Sequence, residues 1–267
     1  MAEQPLRMRG GHADARADAG RVLPHGAEPD IWRPRNELLG LLPREDLDRL
    51  RPMLQPVTLN GRRILFHNKA PLQHVYFMEE GLVSVLAEIE EGRAVEVWLT
   101  GREGFMGIPV ILGSTGSPHR RVAQLGGRAL RMGAEAMRRA MDEIPSLNRL
   151  LLRYVHAVMV QTAQVSACNS SHRLDQRLAR WLLSVDDRCD REPLPLTHDM
   201  LARMLGVRRA SVSDSLAALD RAGLIRTGRG HVEITDRAGL EGRSCRCYQI
   251  MTSEYERMHR DLAASLS

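Results

Sequence analysis

The chain has 267 residues, a net charge of +5 and a pI of about 9.4. Its length allows two domains with cores of their own, and its 43% hydrophobic and 27% charged content is that of a globular protein. These totals exclude collagen-like, disulfide-rich and intrinsically disordered classes. No apolar run would span a bilayer, and the N-terminus lacks a hydrophobic signal core, so we expect no membrane partner and a cytoplasmic location. The net positive charge permits an anionic partner without requiring one.

The first segment, residues 1–35, is rich in Gly, Ala, Arg and Asp and has no apolar periodicity. Such a composition is typical of a flexible tail. From Asn36 onward leucines recur at helical spacing, and they predict two short helices separated at Pro43.

A period of two replaces the helical period between Val57 and Arg131. Turn signals such as Asn60-Gly61 and Glu80-Gly81 separate the apolar runs, which is typical of an antiparallel β-roll. We assign residues 36–144 to this roll, as a sensor domain. The predicted strands are Val57–Leu59, Ile64–Phe66, Val75–Met78, Leu82–Leu86, Val95–Leu99, Arg121–Gln124 and Ala129–Met132.

Two helices follow the roll, a short one over Ala134–Met141 and a long one that begins at Pro145. Apolar side chains along the long helix step by three and four, which predicts the seam of a paired helix in a homodimer. The alternative is a helix buried on its own domain. The predicted interface residues are Leu147, Leu151, Tyr154, Val158, Thr162 and Val165. We assign 145–170 to dimerisation, with a hinge at Asn169-Ser170-Ser171.

The region 171–248 carries the pattern of a helix-turn-helix. Thr197 is an N-cap candidate, and Gly206 is placed to turn the chain before a second helix over about Arg208–Arg221. Val212 and its apolar neighbours give that helix one buried face, which leaves a polar and basic face for the DNA major groove. The predicted DNA-binding residues of this unit are Thr197, Arg208, Arg209, Ser211, Ser213 and Asp214.

A basic hairpin follows the second helix. Leu224-Ile225 and Val232–Ile234 flank a glycine-bearing tip, which predicts the wing of a winged helix, with Arg229 and His231 against DNA. The remaining residues, 249–267, read as a polar, helical C-terminal tail.

Three stretches carry a resemblance to a known family: Val75-Tyr76-Phe77, the run Gly101–Gly107 (GREGFMG), and LARMLGVRRASVS from Leu201. The chain resembles the Crp/Fnr family of bacterial transcription regulators from about Asn36 to Tyr248. The resemblance implies an α+β fold in which a β-roll, a dimer helix and a winged helix-turn-helix follow one another. It also implies a homodimer that binds double-stranded DNA at an inverted-repeat operator and contacts RNA polymerase.

The family's base-reading positions fall here on Arg209, Ala210 and Asp214. Only the arginine matches the residue found at its position in the best-known members. We therefore expect this protein to bind a half-site whose sequence differs from theirs.

The resemblance also locates an effector pocket. Members that bind cyclic AMP use a glycine–glutamate step and an arginine–serine step, whereas here Ile108 follows Gly107 and Val122 follows Arg121. With Thr162 on the long helix these residues form the candidate pocket. We therefore expect an effector other than cyclic AMP and assign no cofactor; the alternative is a vestigial pocket in a regulator that acts constitutively or through a partner protein.

Cysteines and histidines raise the alternatives of a metal site or a metal-dependent enzyme. Cys245 and Cys247 have no matching pair of Cys or His ligands, which argues against a zinc site. No cysteine precedes Cys168, which argues against an N-terminal iron–sulfur cluster. A minor alternative is a metal-dependent β-roll enzyme using His67, His74 and His119, but these histidines are not spaced as a ligand pair. We expect no enzymatic activity and no metal, and we interpret the GREGFMG run as a β-turn.

Overall fold

The computed structural model describes residues 32–68, 70–90, 93–189 and 193–266. The segment predicted as a flexible tail, 1–35, lies almost wholly outside them. Two short helices open the described chain, α1 (Glu37–Gly40) and α2 (Arg44–Leu50), and a 3-10 turn follows at Arg51–Met53. Asn36 caps α1, because its side-chain oxygen accepts a hydrogen bond from the backbone N–H of Leu39.

Eight strands then form the predicted β-roll. They make two four-stranded antiparallel sheets, in the orders β1-β8-β3-β6 and β2-β7-β4-β5. A short helix, α3 (Ile108–Ile111), lies between β6 and β7. The strands are β1 (Gln55–Leu59), β2 (Ile64–Phe66), β3 (His74–Met78), β4 (Leu82–Glu90), β5 (Arg93–Thr100), β6 (Phe105–Met106), β7 (Arg120–Leu125) and β8 (Gly127–Gly133).

The first four residues of the GREGFMG run make the turn between β5 and β6, as predicted, and Phe105-Met106 form β6. The backbone N–H of Gly104 donates to the carbonyl of Gly101 across 3.1 Å. A side chain at Gly104 would meet its neighbours, since a Cβ there would lie 2.5 Å from both Thr100 Cγ2 and the Tyr154 hydroxyl. The glycine therefore lets the turn pack directly against the long helix.

Helix α4 (Ala134–Glu143) leads into the 27-residue helix α5 (Pro145–Ser171). The hinge predicted at Asn169–Ser171 is wrong, because these residues still belong to α5 and the helix is capped at His172. The Ser170 hydroxyl donates to the carbonyl of Ala167 at 3.0 Å, so this polar side chain is satisfied within the helix and does not interrupt it.

The C-terminal half begins with α6 (Leu174–Asp186) and the helix-turn-helix pair α7 (His198–Leu205) and α8 (Arg209–Arg221). A hairpin of β9 (Ile225–Gly228) and β10 (His231–Ile234) forms the predicted wing. Two further helices complete the described chain, α9 (Arg237–Arg243) and α10 (Cys247–Leu266).

Helix α10 is the C-terminal helix expected at 249–267, but it is packed and not wholly polar. It returns to α5, and Tyr255, Met258 and Leu262 are buried in the same hydrophobic core as the β-roll. The Tyr255 hydroxyl donates to Gln161 Oε1 at 2.9 Å. These apolar residues keep helical spacing, but the charged residues among them obscured the pattern in the sequence.

The winged helix docks on the outer face of the sheet β2-β7-β4-β5. Leu82, Leu86, Leu99 and Leu125 from that sheet share a second hydrophobic core with α6, α7 and α8. A buried ion pair joins the same two units, since Arg188 Nε lies 2.7 Å from Glu103 Oε1. The C-terminal half is therefore held against the β-roll by both apolar and ionic contacts.

Glu96 is a second polar link in this junction. Its carboxylate accepts hydrogen bonds from the Trp181 indole N–H at 2.7 Å and from the Ser84 hydroxyl at 2.5 Å. Burial raises the pKa of Glu96, while the bonds from Ser84 and Trp181 act in the opposite direction.

We expect Glu96→Gln to change how stability depends on pH. An acid whose pKa is higher in the folded state loses stability as pH rises above its unfolded value of about 4.5. The wild type should therefore lose stability relative to Glu96→Gln above that pH, by about 1.4 kcal/mol for each unit by which folding raises the pKa. Urea unfolding at a series of pH values measures this difference. Glu88→Gln, an exposed glutamate on β4, is the control, and parallel profiles for wild type and Glu96→Gln would contradict the prediction.

Candidate nucleic-acid interface

Helix α7 begins and ends as its sequence predicts. Thr197 is its N-cap, and the Thr197 hydroxyl accepts from the backbone N–H of Met200 at 3.2 Å. Gly206 ends the helix with φ of +66°, a left-handed conformation that favours glycine. The two caps fix the angle at which α8 leaves the turn.

Helix α8 buries one face and exposes the other. Val212, Leu216 and Leu219 are buried, whereas Arg209 and Asp214 are exposed. The Arg209 side chain is 68% exposed, and its Nε lies 3.4 Å from the Asp199 carboxylate of α7. Its guanidinium therefore stands at the N-terminal end of α8, open to solvent.

Ser213 takes part in the contact between α7 and α8. Its hydroxyl donates to the Arg209 carbonyl at 3.1 Å and lies 2.8 Å from His198 Nδ1. A role for Ser213 in DNA binding stays a prediction, since this hydroxyl already has partners within the chain.

Arg208 and Ser211 face the β-roll. With Asp199 and the turn at Gly206 they line a cavity of about 1070 Å³ between the helix-turn-helix and the outer sheet. We call this cavity the interdomain groove. On the roll side it is lined by Arg62, Ile64, Leu86, Arg93, Ala94, Val95, Arg120, Val122 and Gln124.

The wing is tied to the end of α8. The Asp220 carboxylate accepts from the Thr227 backbone N–H at 2.9 Å and from its hydroxyl at 2.6 Å, and these bonds lower the pKa of Asp220. Gly230 turns the tip with φ of +80°. Arg229 at the tip is exposed and His231 is half-buried, so the wing presents a cation beside α8.

The effector-pocket candidates are only partly brought together. Arg121 is 4% exposed; its Nη1 donates to the His119 carbonyl at 2.7 Å, and its guanidinium lies 5.7 Å from the Phe66 ring centroid. Burial lowers the pKa of Arg121 to about 10. Val122, the next residue on β7, points to the opposite face and lines the interdomain groove. The arginine–valine step therefore does not form one pocket wall.

The other pocket candidates lie on different elements. Gly107 precedes α3 and Ile108 is the first residue of that helix. The Thr162 hydroxyl on α5 donates to the Val158 carbonyl of its own helix at 2.8 Å.

The predicted dimer seam is covered by the chain itself, which corrects that set of interface residues. Leu147, Leu151 and Tyr154 are fully buried, and Val158 and Val165 are 6% and 9% exposed. The core of the β-roll and α10 contains Leu147, Leu151, Tyr154 and Val158, so the alternative of a helix face buried on its own domain describes them. The half-buried Thr162 lies beside them.

A different apolar face of α5 is open. Leu152 is 50% exposed and Met159 is 64% exposed, with the half-buried Val155 between them at helical spacing. We call Leu152, Val155 and Met159 the exposed stripe. Helix α5 thus carries two apolar stripes, one for its own domain and one facing outward.

The cysteines differ from the expectation as well. Cys168 and His172 lie beside Cys245 and Cys247, so the prediction that these two thiols lack a matching pair is wrong. His67, His74 and His119 are not part of this group, which is the one such cluster found among the described residues.

No helix in the described ranges has the length and apolar character needed to cross a bilayer.

A capped helix, a left-handed glycine turn, a second helix with an exposed arginine, and a hairpin wing define a winged helix-turn-helix DNA-binding module. Here that module is attached to a β-roll through a long helix. Residues 176–243 match the model of the Crp-like helix-turn-helix domain.

Sequence relatives share most of the chain. The HTH-type transcriptional regulator Cmr of Mycobacterium tuberculosis is 28% identical over 204 residues, 76% of this chain and 82% of that protein. The transcriptional regulator LdrP of Thermus thermophilus is 31% identical over 175 residues, 62% of this chain and 85% of that protein. The chain belongs to the Crp/Fnr family of bacterial transcription regulators.

Solved structures share the fold. A transcriptional regulator of the CRP/FNR family from Thermus thermophilus superposes with a TM-score of 0.60 at 24% identity, covering 71% of this chain and 97% of that one. FixK2 from Bradyrhizobium japonicum superposes with a TM-score of 0.63 at 15% identity, covering 72% and 98%.

Proposed function

We propose that the protein is a homodimeric, sequence-specific transcription regulator. Helix α8 of each protomer enters the major groove at one half-site of an inverted-repeat operator, and the bound dimer contacts RNA polymerase in the cytoplasm. The observation that carries this proposal is the exposed Arg209 guanidinium at the start of α8, beside a basic wing. In this proposal, the segment 36–144 senses an effector, the segment 145–170 forms the dimer and the segment 171–248 binds DNA.

Base reading is assigned to the exposed side of α8. Arg209 can pair with the O6 and N7 atoms of guanine, and Asp214 can accept a hydrogen bond from cytosine N4. The small Ala210 between them allows close approach of the helix to the bases. The other predicted contacts, Thr197, Arg208, Ser211, Ser213 and His231, serve the phosphates and fix the helix in the groove.

Docking of the winged helix suggests how binding is controlled. Arg208 and Ser211 line the interdomain groove, so opening of the groove would give duplex DNA more room beside them. An effector that binds the undocked form more tightly than the docked form shifts the protein toward DNA binding.

Dimerisation is assigned to the exposed stripe of α5. A two-fold axis along α5 places Leu152, Val155 and Met159 of one protomer against the same residues of its partner. Each protomer would bury large apolar side chains that are 50% to 64% exposed in the single chain, and burial of such surface favours association.

The effector proposed for the β-roll is an anion. Arg121 is a buried guanidinium whose pKa is lowered by burial, so a negative ligand would stabilise it. Ile108 offers no carboxylate to accept a hydrogen bond from a ribose hydroxyl, and Val122 offers no hydroxyl to donate to a phosphate, which argues for a ligand other than cyclic AMP. A vestigial pocket is the second candidate, since Arg121 already contacts the His119 carbonyl and Phe66. Melting temperatures measured across a panel of nucleotides and small acids distinguish the two, because a ligand of the native state raises the melting temperature.

No catalytic step is part of this proposal, since the named sequence relatives are transcriptional regulators.

Selection of bound fragments from random duplex DNA tests the proposal directly. We expect an inverted repeat with half-sites about one helical turn apart, centre to centre. Failure to enrich any sequence at physiological salt, with or without candidate effectors, would contradict it.

We expect Arg229→Ala in the wing to weaken binding to all duplexes alike. The lost phosphate contact should lower the slope of log K against log salt by about one. Titrations of operator and random DNA between low and physiological salt measure that slope. Arg139→Ala on α4, also an exposed arginine, is the matched control. If Arg229→Ala leaves the slope unchanged, the wing is not part of the DNA interface.

A further inference from the structure

Four metal-ligating side chains meet where α5 ends. Cys168 and His172 are one helical turn apart at that end, and Cys245 and Cys247 lie at the start of α10. One ligand atom from each lies within 4.8 Å of all the others. The sulfurs of Cys168 and Cys245 are 3.4 Å apart, and the sulfur of Cys247 is 3.5 Å from His172 Nδ1.

These separations suit one tetrahedral ion. Zinc–sulfur bonds of about 2.3 Å in a tetrahedral site put the sulfurs roughly 3.7 Å from one another. An iron–sulfur cluster contains several metal and sulfide atoms between its ligands and requires wider spacing. All three thiols of the group are free and buried, and His172 is half-buried. The group is therefore compact and shielded, like a structural zinc site.

The surroundings of the cluster also fit a bound ion. Gln164 Nε2 lies 3.1 Å from the Cys247 sulfur, as a donor that would hold a ligating thiolate in place. Arg180 is only 4% exposed, and its Nε is a buried donor with no hydrogen-bond partner among the described residues. Arg177 and Arg180 lie on α6, which begins two residues after His172.

The net charge of a filled site would complement these arginines. Three thiolates and a neutral imidazole around Zn²⁺ carry a net charge of −1. A buried guanidinium is stabilised by a negative group nearby, and a zinc–thiolate centre at this position supplies one.

We propose that Cys168, His172, Cys245 and Cys247 bind one Zn²⁺ ion in a closed Cys₃His site. Four protein ligands leave no open position, so the ion has a structural role and not a catalytic one. The thiols become thiolates on binding and release their protons to solvent.

The site lies where the DNA-binding half joins the rest of the chain. Cys168 and His172 end the helix that precedes α6, and Cys245 and Cys247 connect α9 to α10. One ion therefore cross-links the two connections of the winged helix at the end of α5.

Metal analysis of the untagged full-length protein tests the site. We expect about one zinc per protomer in the wild type and in Cys189→Ala, since Cys189 lies outside the cluster. Cys168→Ala and Cys245→Ala should lose it. Metal-free wild type titrated with Co²⁺ should develop the visible absorption of a tetrahedral cobalt–thiolate centre, and the two cluster variants should not.

Measurements on the wild type alone test the zinc site even if the cluster variants fail to fold. Added Zn²⁺ should raise the melting temperature of the metal-free wild type, as for any ligand of the native state. The thiol reagent that titrates Cys189 in the zinc-loaded protein should reach the other three cysteines only after chelation. No zinc in the purified wild type together with no cobalt absorption would overturn the proposal. A disulfide between Cys168 and Cys245 in the mass of the unreduced protein would also overturn it.

Discussion

Met159→Glu is expected to convert the protein from a dimer to a monomer. Met159 is 64% exposed at one end of the exposed stripe, and in a two-fold pair it meets its own copy or its neighbours. Two carboxylates would then be buried near each other in an apolar interface. We expect the dimer to weaken by about 3 kcal/mol or more, roughly 100-fold. Sedimentation equilibrium measures the association constant, and operator affinity should fall with it because one protomer holds a single half-site.

Two variants distinguish the exposed stripe from the rest of the molecule. Leu112→Glu makes the same kind of change at a side chain that is 58% exposed at the end of α3, and it should leave the dimer intact. Leu151→Ala removes a fully buried side chain and should cost about 2–5 kcal/mol of stability without dissociating the folded dimer. If Met159→Glu remains dimeric, the interface lies elsewhere on the molecule.

Arg209→Ala is expected to reduce operator affinity by about 1–3 kcal/mol, roughly 5- to 150-fold, if its guanidinium reads a guanine. Binding to random DNA should change much less, since that affinity comes from phosphate contacts. Fluorescence anisotropy with the selected operator and with a scrambled duplex, at one salt concentration, measures both. An equal loss on the two duplexes would make Arg209 a phosphate contact.

The ion pair with Asp199 provides the matched control for Arg209. Asp199→Ala removes the partner at 3.4 Å and leaves the guanidinium in place, so specific binding should be largely retained. Arg209→Lys keeps the charge but cannot make the two-pronged contact with guanine, and it should lose specificity more than affinity for random DNA. A loss in Asp199→Ala equal to that in Arg209→Ala would assign the effect to the contact between α7 and α8.

Features that depend on neighbouring residues could be predicted from the sequence. The Thr197 cap, the left-handed turn at Gly206 and the buried face at Val212 each depend on a few adjacent residues, and the structure confirms all three. The strands of the β-roll could likewise be predicted, because alternation and turn residues are local signals.

Features that depend on distant contacts could not be predicted in this way. Helix α5 has two apolar stripes, and its own sequence does not reveal which one meets the β-roll and α10. The predicted seam at Leu151 and Tyr154 is therefore the inward stripe. The cluster of Cys168, His172, Cys245 and Cys247 was missed for the same reason, although the pairs at 168/172 and 245/247 were visible separately as a helical-turn spacing and a Cys-x-Cys step.

The candidate effector pocket shows a third limit. Arg121 and Val122 are neighbours in sequence, but a β-strand directs successive side chains to opposite faces. The roll interior therefore holds Arg121, and the interdomain groove holds Val122. The period-two pattern predicted this strand, whereas a pocket lined by both residues would require both side chains to point inward.

The return of α10 to α5 has a mechanical consequence. The chain enters the DNA-binding half just after His172 and leaves it at Cys245, and those two points lie side by side. The two connections of the winged helix therefore meet at one point, so opening of the interdomain groove would be a rotation about that point. A rotation about this end of α5 would move the far end of the winged helix more than it moves the residues near His172.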